Sequence, residues 1–238
     1  MLGGRVILKR GSKDEPEKPF WISFSDLMTA LMVLFLFVMS VALLSVTRTV
    51  TDAERKQAEY DREIADLLKD FSNAARQTTG ISVDTKKRTI EFGDKARFDT
   101  GSSVLRPEQA RELRAFIPRV LEIADSPKAK RWLKRVVVEG YTDRRGSYLL
   151  NLNLSLQRSQ RVLCALLDNS LLPGETALTA EQKALIHRLF LVGGYSFNSA
   201  RPSFDESRRI ELRLDFYGIN ETPEQVPEAP AEYGTCMI

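Results

Sequence analysis

The sequence contains few of the residues from which metal centres and nucleophilic active sites are usually built. Its 238 residues include one histidine, His187, and two cysteines, Cys164 and Cys236. Two cysteines give neither a disulfide framework nor a zinc-type spacing, and one histidine leaves histidine-based catalysis little to work with. The net charge of +3 is too small to indicate a nucleic-acid partner. We therefore expect no metal site, no cofactor, no direct nucleic-acid binding and no enzymatic activity.

One long stretch lacks charged residues altogether. From Leu27 to Val46 there are 20 uncharged residues. As a helix they would span about 30 Å, which is the thickness of the hydrocarbon core of a bilayer. Phe20 and Trp21 precede the run, where interfacial aromatic anchors are usually found. The sequence therefore predicts a single-pass membrane protein whose transmembrane helix occupies residues 19–47.

Positive charges are concentrated before this run. Residues 1–18 contain five basic residues, which are Arg5, Lys9, Arg10, Lys13 and Lys18. The positive-inside rule places residues 1–18 in the cytoplasm as a short tail and everything after Val46 outside. A cleaved signal peptide is the alternative, but an aspartate inside the run and the lack of a convincing A-x-A site disfavour it.

The transmembrane segment carries one full charge near its start, at Asp26. An ionised carboxylate is disfavoured in a bilayer or a dry helix bundle, so binding and release of a proton become feasible there. Ser23 and Thr29 lie three residues to either side, on nearly the same helical face. Their hydroxyls could hydrogen-bond the carboxylate or order a water beside it. The alternative is that Asp26 lies at the membrane interface and merely caps the helix.

Residues 48–78 predict an amphipathic linker helix that leaves the membrane. The stretch is densely charged but keeps apolar residues at helical spacing, namely Tyr60, Ile64, Leu67, Leu68 and Phe71. It serves either as a spacer with a modest packing stripe or as a contact between two copies of the chain. Two short alternating runs around a charged turn follow and predict a hairpin at residues 81–92.

Residues 79–217 predict a mixed α/β domain. A helix that starts with a proline follows "RFDTGSSVL", and a buried strand, "RVVVEGYTD", leads into the polar loop "RRGSYLLN". The next helix, "LSLQRSQRVLCALL", is expected to have Ser155 close to its first turn and Cys164 in its packing face. Two strand-like runs follow an excursion at residues 168–190 that has no assigned role. This order predicts an α+β sandwich with helices on one face of a sheet.

The segment "PFWISFSDLMTALMVLFLFVM" resembles the single transmembrane helix of MotB-type stator subunits. In that family an aromatic-rich start leads into an aspartate, followed by Leu-Met-Thr or Phe-Met-Thr. The resemblance implies that Asp26 is the protonation site of an ion-driven motor, with Ser23 and Thr29 in support and H⁺ as the transported ion. It also implies that residues 48–78 could plug the ion path until the motor is activated.

The spacing G-Y-T-D-x-x-G followed by N-x-x-L-S-x-x-R resembles the OmpA-like peptidoglycan-binding domain. The positions in register are Gly140, Thr142, Asp143, Gly146, Asn151, Leu154, Ser155 and Arg158. The resemblance implies recognition of the diaminopimelate residue of the peptidoglycan stem peptide. Asp143 would accept hydrogen bonds from its ammonium, and Arg158 would clamp a carboxylate with its planar fork of donors. Charge reversal at Arg158 is then expected to abolish wall binding while leaving the fold intact.

Some features depart from the OmpA-like pattern or lie beyond it. Ser207 replaces an asparagine that often precedes the paired arginines, so Arg208 and Arg209 are expected to be structural only. The Pro/Glu-rich residues 218–238 predict a disordered tail that contains Cys236. Pairing of the two cysteines is possible in an oxidising periplasm, but the sequence does not require it.

Together the two resemblances imply the wall-anchored subunit of a proton-driven rotary motor in a bacterial inner membrane. Its partners would be a second copy of the chain, a ring of MotA-like or ZorA-like multi-span subunits, and peptidoglycan. Within this superfamily the transmembrane start and the short chain are most similar to the ZorB subunits of Zorya anti-phage systems. A flagellar MotB-type stator subunit, a gliding or transport motor subunit and a passive OmpA-like envelope tether are the alternatives.

Overall fold

The structure, a computed structural model, describes residues 20–168, 177–222 and 233–234, and the side chains from Phe24 onward. The predicted tail at residues 1–18 and most of the predicted tail at 218–238 lie outside the described residues. The chain divides into two compact units, Met1–Arg55 and Lys56–Ile238.

Helix α1 spans Phe20–Arg76, and its residues 20–55 are the described part of the first unit. It contains an 18-residue window that is apolar enough to cross a membrane, of which 0% is buried within the chain. Its hydroxyl groups donate to carbonyls one turn earlier, from Ser40 to Leu36 at 2.7 Å and from Thr47 to Leu43 at 2.8 Å. Polar groups satisfied within the helix suit an apolar surrounding that offers no water.

The last turns of α1 pack inside the second unit. The apolar stripe predicted for the linker is buried in the core of that unit, with Ala75 added to it; the buried residues are Ile64, Leu67, Leu68, Phe71 and Ala75. The ring of Tyr60 meets Trp132 edge-on, with centroids 5.0 Å apart. Lys128 and Arg131 approach Asp66 and Glu63 at 3.6 and 3.5 Å. The structure thus assigns the stripe to packing within the chain.

Five strands form one sheet in the order β1-β2-β5-β3-β4. The strands are β1 Ser82–Asp84, β2 Thr89–Glu91, β3 Leu133–Gly140, β4 Phe190–Gly194 and β5 Ile210–Phe216. β3 and β4 are parallel, and the other neighbours are antiparallel. The remaining helices are α2 Pro107–Ala124, α3 Pro127–Trp132, α4 Tyr148–Leu167, α5 Ala180–Leu189 and α6 Phe204–Ser207, with a 3-10 turn at Gly93–Ala96. The predicted fold class, including the hairpin near residues 81–92, is confirmed.

The register of β3 and β5 separates an apolar face from a polar one. Val136 pairs with Leu214 and Val138 with Leu212, and all four side chains are buried in the core. The same core contains the apolar sides of the helices, including Phe116 of α2. Because side chains alternate along a strand, the residues between them lie on the other face.

The polar face brings three glutamates into a row across β2, β5 and β3. Glu211 lies opposite both Glu91 and Glu139, and like charges directly opposite each other destabilise a sheet. Three arginines offset this repulsion: Arg201 contacts Glu91 and Glu211 at 2.7 and 3.0 Å, Arg209 contacts Glu211 at 2.6 Å, and Arg213 pairs with Glu139. The row is therefore a satisfied structural network.

Helix α4 begins earlier than the sequence predicts, which corrects the expected position of Ser155. Tyr148 is its first residue, and Ser147 caps it by accepting a hydrogen bond from the Leu150 N–H at 3.3 Å. The polar loop is therefore shorter than predicted. Ser147 at the N-cap satisfies a free backbone N–H at the helix end, which allows the helix to start at Tyr148. Ser155 lies in the middle of α4, where it is fully buried.

The excursion at residues 168–190 contains a helix, and Cys164 forms a disulfide. Residues 169–176 lie outside the described residues, and α5 follows them, with Thr179 and Gln182 forming reciprocal capping bonds of 2.9 and 3.2 Å. Cys164 is half-buried in α4 and is disulfide-bonded. The only other cysteine in the sequence, Cys236, lies outside the described residues.

Candidate functional site

The predicted wall-binding motif forms a loop between β3 and α4, and glycine permits the two elements to touch. A Cβ atom on Gly140 would lie 1.9 Å from the carbonyl oxygen of Ser155, and one on Gly194 would lie 2.8 Å from the nitrogen of Leu156. Only a residue without a side chain fits at such distances. The backbone of α4 therefore packs directly on the carboxyl ends of β3 and β4, which fixes the position of the loop at residues 141–147.

Side chains of α4 hold this loop in one conformation. The Asn151 amide donates to the carbonyls of Arg145 and Ser147 at 2.7 and 3.1 Å. Gly146 has φ +91°, a left-handed conformation that glycine adopts without strain. The Ser155 hydroxyl donates to the Leu152 carbonyl at 2.8 Å and accepts from the Ser196 N–H at 3.0 Å. Asn151, Gly146 and Ser155 of the motif therefore have a structural role in addition to any contact with a ligand.

Asp143 is buried in the loop, and both of its carboxylate oxygens contact arginine. Arg145 donates from its backbone N–H and its Nε to Oδ1 at 3.0 and 3.2 Å, and from Nη2 to Oδ2 at 2.6 Å. Arg208 donates from Nη1 to Oδ2 at 3.0 Å. The hydrogen bonds from the Arg145 side chain are the main reason why the pKa of Asp143 falls to about 2. Asp143 is therefore an anion at neutral pH.

Arg158 is fully buried, and its guanidinium joins three backbone segments. It donates to the carbonyls of Ser102, Tyr141 and Asp99 at 2.9, 2.7 and 3.1 Å, and it lies over the ring of Phe98. Burial lowers its pKa to about 10, which still leaves it charged at neutral pH. Within the described residues no ion pair joins it to Asp143. Its predicted contact with a ligand carboxylate stays a prediction, and the structure adds a role in positioning the loop.

Thr142 and Leu154 complete the predicted set. Thr142 is 1% exposed, and its hydroxyl is buried without a hydrogen-bond partner among the described residues, although its N–H donates to the Ser196 carbonyl at 2.9 Å. Buried hydroxyls are normally satisfied, so such a group is suited to a water or a ligand. Leu154 is half-buried.

Exposed apolar side chains at the start of α4 and on α6 form an apolar rim beside the loop. Tyr148, Leu149 and Leu150 at the start of α4 are exposed, and so is Phe204 of α6. The guanidinium of Arg145 lies over the Phe204 ring, 4.7 Å from its centroid. The surface therefore offers apolar contacts beside a buried carboxylate, an arrangement that suits an amphiphilic amino-acid chain.

The two arginines on Asp143 were not anticipated as site residues from the sequence. Arg145 occupies a variable position of the motif, and Arg208 was expected to be structural only. Arg208 comes from the β4–β5 connection, 65 positions from Asp143, so the spacing of the motif gives no indication of it. The one indication for Arg145 in the sequence is the pair of basic residues, Arg144 and Arg145, that follows the motif aspartate.

Asp26 lies on an exposed surface of α1 and has no hydrogen-bond or ion-pair partner within the described residues. The expected hydrogen bond from Thr29 is absent, because its hydroxyl donates to the Ser25 carbonyl at 2.8 Å. This bond is the usual one for threonine in a helix. The side chain of Ser23 lies outside the described residues. Among the described residues, no cluster of three or more His, Cys, Asp or Glu side chains could hold a metal ion.

Comparisons with known proteins match both parts of the chain. The sequence profile of the OmpA family matches residues 97–192, and that of the membrane MotB of the proton-channel complex MotA/MotB matches residues 8–51. Zorya protein ZorB of Escherichia coli O139:H28 (strain E24377A / ETEC) is 44% identical over 96% of this chain and 93% of that protein. Zorya protein ZorB of Escherichia coli (strain ATCC 8739) is 28% identical over 88% of this chain and 93% of that protein.

Among solved structures, the periplasmic domain of Helicobacter pylori MotB overlaps with 61% of this chain and 85% of that one. The sequence identity is 15% and the TM-score 0.40. The assignment of the fold therefore rests on the strand order and on the OmpA family profile.

Proposed function

The chain belongs to the ZorB family of Zorya proteins, and from this premise we propose that it is the peptidoglycan-anchored subunit of a proton-driven membrane motor for anti-phage defence. The observation that carries the proposal is the 44% identity over 96% of the chain, which includes the membrane helix and the wall-binding domain together. Ion handling and anchoring, the two functions in this proposal, have candidate residues in these two parts. A flagellar role has less support, because both relatives named above are ZorB proteins.

Asp26 carries the proton in this proposal. A carboxylate on an apolar helix surface is costly unless another subunit or an ion path solvates it. Protons that cross from outside would bind Asp26 and leave to the cytoplasm, and each cycle would switch the carboxylate between its charged and neutral forms. One proton is worth about 2.3 kcal/mol per 100 mV of membrane potential, several times thermal energy, which is enough to bias a mechanical step.

The second unit anchors the motor to the cell wall. A stem peptide with a free amino-acid end carries an ammonium and a carboxylate. Asp143 supplies the anion for the ammonium, and Arg208 or Arg158 supplies donors for a carboxylate. The exposed apolar rim at the start of α4 would contact the aliphatic chain of diaminopimelate. Thr142, whose hydroxyl is unpaired within the described residues, offers one more polar contact.

The chain would cross the inner membrane once, with its basic N-terminus in the cytoplasm and the second unit in the periplasm. The disulfide at Cys164 supports this orientation, because disulfides persist in the oxidising periplasm and are rare in the cytosol. The exposed apolar surface of α1 would be covered by lipid, by the same helix of a second copy and by a ring of multi-span ZorA-like subunits.

The substitution Asp26→Asn tests the proposal, because it keeps the size of the side chain and removes its titration. In cells that express the chain with its genomic neighbours, Asp26→Asn should abolish protection against phage, measured as efficiency of plating. Its abundance in membranes and its co-sedimentation with peptidoglycan should stay unchanged. Asp52→Asn is the matched control, since Asp52 is exposed on the same helix, and it should protect like the wild type. Full protection by Asp26→Asn would favour a passive tether instead.

A further inference from the structure

The guanidinium of Arg145 occupies the place on Asp143 that a ligand ammonium would need. Its side chain spans both carboxylate oxygens, with Nε 3.2 Å from Oδ1 and Nη2 2.6 Å from Oδ2. A third donor to Asp143 comes from Arg208. The backbone N–H of Arg145 is a fourth donor to the carboxylate. Four hydrogen bonds are about all that the lone pairs of a carboxylate can accept. A ligand ammonium therefore requires that one arginine leave.

The two arginines differ in how firmly they are held. The Arg208 side chain is 12% exposed, donates from Nε to the Phe98 carbonyl at 2.9 Å and pairs with Asp205. The Arg145 side chain is 48% exposed. Apart from Asp143, its contacts are the exposed Thr100 hydroxyl at 3.0 Å and the exposed ring of Phe204. Arg145 is thus the arginine that can leave without disturbing the buried part of the site.

The backbone of the loop does not need to move when the Arg145 side chain leaves. Asn151 holds the Arg145 carbonyl at 2.7 Å, and the Arg145 N–H bonds Asp143 Oδ1 at 3.0 Å independently of the side chain. Removal of the guanidinium would leave Asp143 with that N–H and Arg208, and would free one acceptor position on each oxygen. This leaves a preformed site for an ammonium group.

We propose that Arg145 is a displaceable latch: in the free protein it mimics the ammonium group of the stem peptide on Asp143, and peptidoglycan binding replaces it. This inference rests on the proposed wall-anchoring function. The latch lowers the apparent affinity, because only the fraction of molecules with Arg145 swung out is competent to bind. It also gives both oxygens of Asp143 a side-chain donor while the protein is away from the wall, since Arg208 contacts only Oδ2.

The test is the affinity of the full chain, purified in detergent, for isolated peptidoglycan sacculi, measured as a co-sedimentation isotherm. Arg145→Ala should bind about tenfold more tightly than the wild type, since a charge-assisted pair that competes with the ligand is gone. Arg144→Ala is the matched control, because Arg144 is the exposed neighbour with the same charge, and it should leave the affinity unchanged. Thr100→Val removes only the outer hydrogen bond of the latch and should tighten binding by about twofold.

The outcomes separate the latch from the anchoring function. Unchanged or weaker binding by Arg145→Ala, with wild-type binding intact, overturns the latch, because Arg145 would then be a spectator or a direct ligand contact. Equal tightening by Arg144→Ala also overturns it, since general charge would explain the effect. If neither the wild-type protein nor Asp143→Asn sediments with the sacculi, the anchoring function itself is refuted, and the latch with it. Thermal melting of each variant shows that the fold is retained.

Discussion

Replacement of Arg158 by methionine is expected to destabilise the second unit by about 2–4 kcal/mol. The Tyr141 carbonyl accepts a buried hydrogen bond from Arg158. A buried acceptor that is left unpaired costs about 1–3 kcal/mol. The carbonyls of Ser102 and Asp99 are only partly buried, so water can replace the guanidinium there at a cost of about 1 kcal/mol or less each. Release of a charge whose burial lowers its pKa to about 10 recovers part of this loss.

The assay is chemical unfolding of residues 56–238, the second compact unit, followed by the fluorescence of Trp132. Trp132 is the single tryptophan of this segment and is buried. Arg144→Met is the control, since substitution of an exposed side chain should change the free energy of unfolding by about 0.5 kcal/mol or less. An Arg158→Met variant within 1 kcal/mol of the wild type would refute the positioning role.

This result bears on how Arg158 variants should be interpreted. The sequence alone led us to expect that charge reversal at Arg158 would abolish wall binding with the fold intact. That expectation conflicts with the structure, because a carboxylate at a fully buried position would face three backbone carbonyls and repel each of them. Loss of wall binding in such a variant would therefore reflect a damaged site. Asp143→Asn is the better probe of ligand contact.

Three further predictions follow from the same geometry. Gly140→Ala should lower the free energy of unfolding by about 2 kcal/mol or more, because its Cβ would overlap the Ser155 carbonyl. Gly218→Ala should not lower it, because a Cβ there meets nothing closer than 4.0 Å. Leu67→Ala should cost about 2–5 kcal/mol by leaving a cavity in the core, and a smaller loss would mean that the linker is a free spacer. Asp143 has a folded-state pKa of about 2, below its unfolded value of 3.8, so its stabilising contribution is complete above about pH 5 and is lost as pH falls through 2. The stability difference between the wild type and Asp143→Asn should therefore shrink over that range, and a constant difference would contradict the assigned ion pairs.

Local patterns in the sequence predict the elements of this protein better than the partners of its charged residues. The uncharged run from Leu27 to Val46 predicts the membrane helix because composition alone decides that element. The start of α4 was misplaced because a helix cap at Ser147 outweighed the apparent polarity of the loop. Each of these features depends on residues that are neighbours in the chain.

The candidate site shows the opposite case. Asp143 and Asn151 were identified by motif spacing, but the two arginines that pair with Asp143 were not. Arg208 reaches Asp143 only because the sheet places β5 beside β3. The contact of Arg158 with a ligand carboxylate stays a prediction, and its three backbone carbonyl partners have no signal in the motif. Choices between ligand and protein partners depend on depth and tertiary packing, which one-dimensional spacing does not encode.

The most direct test of the central claim is proton entry through Asp26 during phage infection. A pH-sensitive fluorescent protein would report the cytoplasmic pH of cells that express the chain with its genomic neighbours. Wild-type cells should acidify faster than cells with Asp26→Asn, and Asp52→Asn cells should match the wild type. Equal acidification rates in wild-type and Asp26→Asn cells, at equal abundance in the membrane, would contradict the assignment of Asp26 as the proton-carrying residue.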